Sequence, residues 1–209
     1  WTHIIHKDCK LKFNNVKHRG GAINAINSHA VLITYCSFIS NKANEVGGSI
    51  YLFQSNWARF FHSNITANHG VSGGIIYVEH ILKVHFYTST LGENVGSAVE
   101  LYHGKELVIK QCTLFKNKAG NGGGLYVANC KCVIAVDTVF INNKATNYGG
   151  AFHIWKSVLV LSMNNTFTHN KASYGGAGNH EYCLQVVYKQ SILIFNNVRH
   201  SGGAFNAIG

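Results

Sequence analysis

The sequence predicts an all-β chain wound as a parallel β-helix, a β-solenoid of about eight coils of 26–27 residues. Three observations predict it. A Gly-rich tetrapeptide returns along the whole chain at a near-constant interval. An Asn upstream of each copy keeps the same beat. Between these marks lie short β-rich apolar runs with no helical period.

The tetrapeptides begin at Gly20, Gly47, Gly73, Gly96, Gly122, Gly149, Gly175 and Gly202, at intervals of 27, 26, 23, 26, 27, 26 and 27 residues. A fixed period of this length is the signature of a stacked array in which each unit contacts its neighbours. The runs "AVLITYCSF", "GIIYVEHI" and "SVLVLSMNNTF" are rich in β-branched and aromatic residues and are bounded by Gly and Asn. They read as strands, and two or three of them fill one turn of a parallel β-helix.

Within each tetrapeptide the side chains alternate. The position after the small residue faces inward (Ile23, Ile50, Ile76, Val99, Leu125, Phe152, Phe205, with Gly178 the exception), and the next faces outward. The glycines are expected to turn a sharp corner at positive φ. The Asn column is read as Asn15, Asn41, Asn68, Asn94, Asn117, Asn143, Asn170 and Asn197. Stacked about 4.8 Å apart, such amides donate to one neighbour and accept from the next. Three places before each Asn stands an apolar residue, except in the first coil, where Lys12 breaks the rule.

The phrases "CSFISNKANEVGGSIY" (36–51) and "CTLFKNKAGNGGGLY" (112–126), with the repeated GGAI and FxxN elements, resemble the chlamydial polymorphic outer-membrane proteins and related repeat proteins of eukaryotic surfaces. That resemblance implies a right-handed parallel β-helix and a secreted or surface-displayed, often adhesive, protein. The expected location is therefore extracellular or at the cell surface. The 209 residues read as a single solenoid domain. With no initiating Met and no charged-then-apolar leader, they read as a mature chain or a segment of a longer one. The longest apolar runs are strand-length, so no transmembrane helix is expected.

The near-copies "FNNVKHRGGAINAI" (13–26) and "FNNVRHSGGAFNAI" (195–208) bring neither end the polar character of a solenoid cap. Uncovered coils invite pairing. The leading functional expectation is thus a structural or adhesive repeat protein that associates head to tail with copies of itself, building a fibre or surface assembly.

Charge supplies the alternative. Lys and Arg number 18 against 8 acids, a formal charge of +10, which favours anionic partners. "NKA" recurs at Asn41, Asn117, Asn143 and Asn170, placing Lys118, Lys144 and Lys171 on three consecutive coils as an outward basic column. Tyr51 and Tyr77 form an adjoining outward pair suited to stacking on sugars. Together they mark candidate contacts for an acidic polysaccharide.

Catalysis is not expected. Glycoside hydrolysis needs two carboxylates about 5–10 Å apart, and the nearest thing to a stacked acidic pair is Glu79 with Glu106. A polysaccharide-degrading enzyme is the third class weighed, and the least favoured. Thirteen histidines are scattered without zinc spacing, and neither a metal, a cofactor nor a specific nucleic acid is expected. Cys9 and Cys36, one coil apart, are a disulfide candidate. Asn64 ("NIT") and Asn164 ("NNT") are glycosylation candidates in a eukaryotic secretory context.

Overall fold

The structure, a computed structural model, describes residues 2–209. It is all-β, and its strands stack in eight coils about a common axis. The sixth coil shows the plan. Cys132–Val136 forms a first face, Val139–Ile141 a second, Lys144–Ala145 a short ladder, and Phe152–Trp155 a third face. Each strand pairs in parallel with its counterparts one coil away, giving three eight-stranded sheets. The short ladder is split into a three-stranded and a four-stranded sheet. Between them stands Val95, bridged singly to His69 and Lys118.

Register follows the inward alternation. Ile50 lies over Ile23 and Ile76 over Ile50, and Phe140 lies between Leu114 and Phe167. These side chains are buried in one continuous apolar column. Aromatic residues stack along it: the Phe60 and Phe86 rings lie 4.4 Å apart and those of Phe140 and Phe167 4.8 Å apart. Ring spacing near the strand spacing joins packing and pairing in one geometry.

The corners depart from the sequence expectation. Gly20, Gly47, Gly122, Gly149, Gly175 and Gly202 do adopt φ between 52° and 73°. Three other corners in each of the first seven coils, and two in the eighth, use residues other than glycine in the left-handed region, 23 among the described residues; in the sixth coil they are Asp137, Asn142 and Lys156. Such a conformation costs about 1–2 kcal/mol per residue. At most of these corners the next residue compensates with its side chain. After Asp137, Thr138 Oγ1 donates to Val136 O (2.9 Å) and receives the N–H of Cys112 (3.3 Å). After Lys156, Ser157 Oγ donates to Trp155 O (3.4 Å) and receives the N–H of Cys130 (3.3 Å). The second glycine of the pair meets a different demand. A Cβ on Gly150 would lie 2.2 Å from Gly176 O, so the backbones of adjacent coils approach too closely for any side chain.

The Asn corner is the most regular. The Oδ1 of Asn117 accepts both the N–H (3.3 Å) and the Nδ2 (2.9 Å) of Asn94, while its own Nδ2 donates to Leu91 O (3.0 Å) and to Asn143 Oδ1 (2.9 Å). The pattern repeats from coil to coil. Its end members are corrected: they are Asn14 and Asn196, which bond Asn41 and Asn170, and not Asn15 and Asn197. Asn15 and Asn197 lie one place on, in register with Lys42 and Lys171. The shift removes the Lys12 exception, because Leu11 then stands three places before Asn14 and pairs with Phe38.

Cys9 and Cys36 are also corrected. All six cysteines are free. These two occupy the first corner, where each thiol donates to the carbonyl two residues back, Lys7 O and Thr34 O, both at 3.2 Å. They fill the role that Ser63 and Ser89 fill in the next coils.

Toward the last coils the interior turns polar. His180 points inward, and its Nε2 shares a hydrogen bond with Tyr188 Oη at 2.5 Å. Burial, with His153 adding to it, pushes the His180 imidazole down to about 3. Above pH ~6.5 it is neutral whether the chain is folded or unfolded. As pH falls from ~6.5 toward 3 the unfolded chain binds a proton that the folded one refuses, and stability is lost across that window. Thermal melts should show about 3 kcal/mol lost between pH 7 and pH 4 from this group, and His180→Leu should flatten that part of the profile. Asn117→Ala removes the acceptor for two Asn94 donors and the donor to Leu91. Urea denaturation should show about 3 kcal/mol lower stability or more, against little change for Lys118→Ala on the exposed side.

Candidate functional site

The site follows from a defect in the repeat. Eight residues lie between Asn143 and Phe152 and seven between Asn117 and Leu125, but only four lie between Asn94 and Val99 in the fourth coil. The Asn ladder and the inward strands pass through this coil without interruption. The whole deletion therefore falls on the outer loop between the short ladder and the third face. Coils three and five keep their loops, Gly70–Gly73 and Lys118–Asn121, and a groove of about 630 Å³ opens between them with Val95 and Gly96 in its floor.

The third face supplies the inner wall. Its outward column runs Tyr51, Tyr77, Glu100, Tyr126, His153 and Asn179. Glu100 replaces an aromatic here, and Tyr102 leans across from two residues on. The Tyr102 ring lies 5.5 Å from both Tyr77 and Tyr126. Tyr102 Oη donates to Glu100 Oε1 at 2.6 Å. Gly73 and Gly74 make room for this carboxyl: a Cβ on Gly74 would stand 2.5 Å from Glu100 Cβ. Burial pushes the Glu100 carboxyl up, against the hydrogen bond from Tyr102 and a backbone bond at Gly74. Burial and the neighbouring Glu100 push the Tyr102 phenol well up, so it keeps its proton and remains a donor. Asn121 lines the groove, and its Oδ1 is enclosed without a hydrogen-bond partner. Such an orphan acceptor costs about 1–3 kcal/mol.

The outer rim is basic. Lys118, Lys144 and Lys171 are in direct axial register, and all three are exposed. Lys118 and Lys144 line the groove, while Lys144, Lys171 and Arg199 line a second hollow of about 120 Å³ beside it. The ion pairs that use Lys or Arg join Arg19 to Glu45 and Lys116 to Glu93. Among the described residues none reaches this ridge. Like charges stacked about 4.8 Å apart repel unless screened.

Other expected site residues fall elsewhere. Tyr51 and Tyr77 do stack, with rings 5.6 Å apart. Tyr51 is only 3% exposed, however, closed between Tyr77 and the Arg19 guanidinium, so it offers no face to a sugar. Tyr77 is half-buried and its Oη is turned to Glu79. Glu79 and Glu106 do not stack: Glu79 pairs with Tyr102 on the third face, and Glu106 with Lys83 and Cys132 on the first. Asn164 is an exposed corner residue donating to Asp137 Oδ1 at 2.6 Å, and Asn64 is a half-buried strand residue. The groove itself was missed in the sequence, although its signal was present as the single interval of 23 between Gly73 and Gly96. Among the described residues no three His, Cys, Asp or Glu side chains are placed so that they could hold a metal ion together, and no helix is long and apolar enough to cross a membrane.

Fold and repeat together define a β-solenoid repeat protein. Residues 137–154 match the Chlamydia polymorphic membrane protein repeat. The matched stretch covers most of the sixth coil, including Phe140, Asn143 and the Gly149–Gly150 pair, so the chain carries a repeat similar to those of that family. No curated protein and no solved structure matches the chain.

Proposed function

We propose that this chain is an extracellular, surface-displayed structural repeat protein that adheres to acidic polysaccharide through its basic ridge. One observation carries the reading: Lys118, Lys144 and Lys171 stack in register with Arg199 beside them, and among the described residues no carboxylate forms an ion pair with them. A polyanion laid along the axis relieves that repulsion at each coil, and the rigid stack holds the charges in a row that a flexible tail would not keep. The similarity to the polymorphic membrane protein repeat supports a surface location. The reading is non-catalytic. Among the described residues Glu100 is the one carboxylate lining the groove, whereas the usual glycoside-cleaving arrangement uses a pair.

The salt dependence of binding tests it. Affinity for polygalacturonate or dextran sulfate should weaken by about tenfold or more between 50 and 300 mM NaCl, as screening shortens the reach of surface charges. The Lys144→Glu/Lys171→Glu double variant should lose about tenfold at low salt. Salt-independent binding, or a double variant equal to the parent, would overturn the ridge.

Self-association end to end is a second reading, and the polarity of the Asn ladder favours it. Each ladder amide from Asn14 to Asn170 donates through N–H and Nδ2 to the Oδ1 of the following coil. The eighth coil therefore offers Asn196 donors in the direction of a next coil, and the first offers Asn14 Oδ1 in the opposite direction. The first coil of a second copy stacked there would accept from Asn196 through Asn14 Oδ1, and Asn14 Nδ2 would reach Leu193 O as Asn41 Nδ2 reaches Leu11 O. Sedimentation velocity should show mass rising with concentration, and Asn196→Ala should reduce that rise. A single monomeric species up to about 100 μM, far above common interface dissociation constants, would rule this reading out.

A further inference from the structure

The groove of the fourth coil differs in kind from the ridge beside it. The ridge is convex, repeated and purely basic. The groove is concave, occurs where one loop is three residues shorter than those of the flanking coils, and joins three chemistries. Lys118 and Lys144 stand at one side. Tyr102 and Tyr126 present half-buried rings on the inner wall. Glu100, bonded to Tyr102 and set against Gly73 and Gly74, provides a carboxyl deeper in, and Asn121 provides an acceptor without a partner.

We propose that this groove binds one acidic sugar unit of a saccharide chain, with its carboxylate or sulfate held by Lys118 and Lys144 and its hydroxyls taken by Glu100. This rests on the acidic-polysaccharide reading of the ridge and specifies where a chain is gripped. The charges are arranged for it. An anionic group placed at the lysine side is met by two ammonium groups. Sugar hydroxyls are donors, and the inner wall offers acceptors to them. The flat faces of sugar rings suit the tyrosine wall. At about 630 Å³ the groove falls within the usual range for small-molecule sites. A neutral sugar lacks the group that the lysines address. A simple polyanion lacks the hydroxyls that the inner wall addresses. A carbohydrate bearing an acid satisfies both sides at once. Because the lysines are shared, a long chain seated here continues along the ridge toward Lys171 and Arg199.

The test uses short probes beside the polymer. Trigalacturonate, a sulfated chondroitin tetrasaccharide and neutral maltotriose are titrated calorimetrically into the parent and into two variants. Gly120→Trp fills the groove mouth from a position where an added Cβ meets nothing within 4 Å, so the fold is left intact. Glu100→Gln keeps the shape and removes the charge. The parent should bind at least one acidic probe and bind maltotriose about tenfold more weakly. Gly120→Trp should lose about tenfold or more for that acidic probe and Glu100→Gln several-fold, while the polymer, which also meets Lys171 and Arg199 outside the groove, should weaken by less in both variants but keep its salt dependence. The acidic probe that binds more tightly identifies the acid as carboxylate or sulfate. Equal affinity of Gly120→Trp and parent for the acidic probe, or equal affinity of the parent for maltotriose, overturns the groove. Polymer binding with no oligosaccharide binding overturns the groove and leaves the ridge standing. Oligosaccharide binding with no salt-sensitive polymer binding overturns the ridge instead.

Discussion

The buried Asn ladder is the interaction on which the rest of this structure depends. Each amide gives its neighbour's backbone and side chain a partner at a corner where the chain leaves the sheets and the main-chain polar groups would otherwise be orphaned. The ladder works only if every coil lies over the last at the strand spacing, about 4.8 Å. That requirement fixes the register of all three faces, because a slip of one residue would turn the apolar column outward. The left-handed corners and the thiol and hydroxyl columns at Cys36, Ser63 and Thr138 are local answers to the same demand.

A scaffold held from within tolerates change on its outside. The fourth coil is three or four residues short in its loop against the other coils, yet Asn94 still bonds Asn68 and Asn117, and Leu91 still fills the core. The deletion is absorbed where no ladder passes, and it appears as a groove. Where the ladder does pass, the glycines allow no such freedom: Gly150 and Gly176 bring the main chains of adjacent coils so close that a methyl group would strike a carbonyl. Function in such a fold is placed by varying loops over invariant corners, as it is in other scaffolds whose sites sit on connections.

Electrostatics divides the surface in the same way. The acids Glu45 and Glu93 are engaged by Arg19 and Lys116 on separate parts of the loops, and Glu100 is turned inward to Tyr102. The lysines of the repeated NKA phrase are left to stack on one another. A repeat that places Lys one step after a buried Asn cannot avoid this column. The basic ridge is thus a by-product of the folding phrase as well as a surface that a polyanion can use.

The sequence alone determined the eight-coil parallel β-helix, the inward Ile and Phe columns, and six of the eight ladder amides, because period and alternation are carried by residue order. It also placed Lys118, Lys144 and Lys171 in one column. The ends of the ladder needed coordinates, since "NN" at 14–15 and at 196–197 offers two amides and only corner geometry selects Asn14 and Asn196. The three left-handed corners occupied by ordinary residues left no compositional mark, because the strain at most of them is answered by the following side chain. Only the tertiary structure could decide that Tyr51 is closed by Arg19, that Glu100 and Tyr102 meet, and that a shortened interval becomes a cavity. Those facts depend on which side chains from different coils share space, and that is settled by stacking in three dimensions.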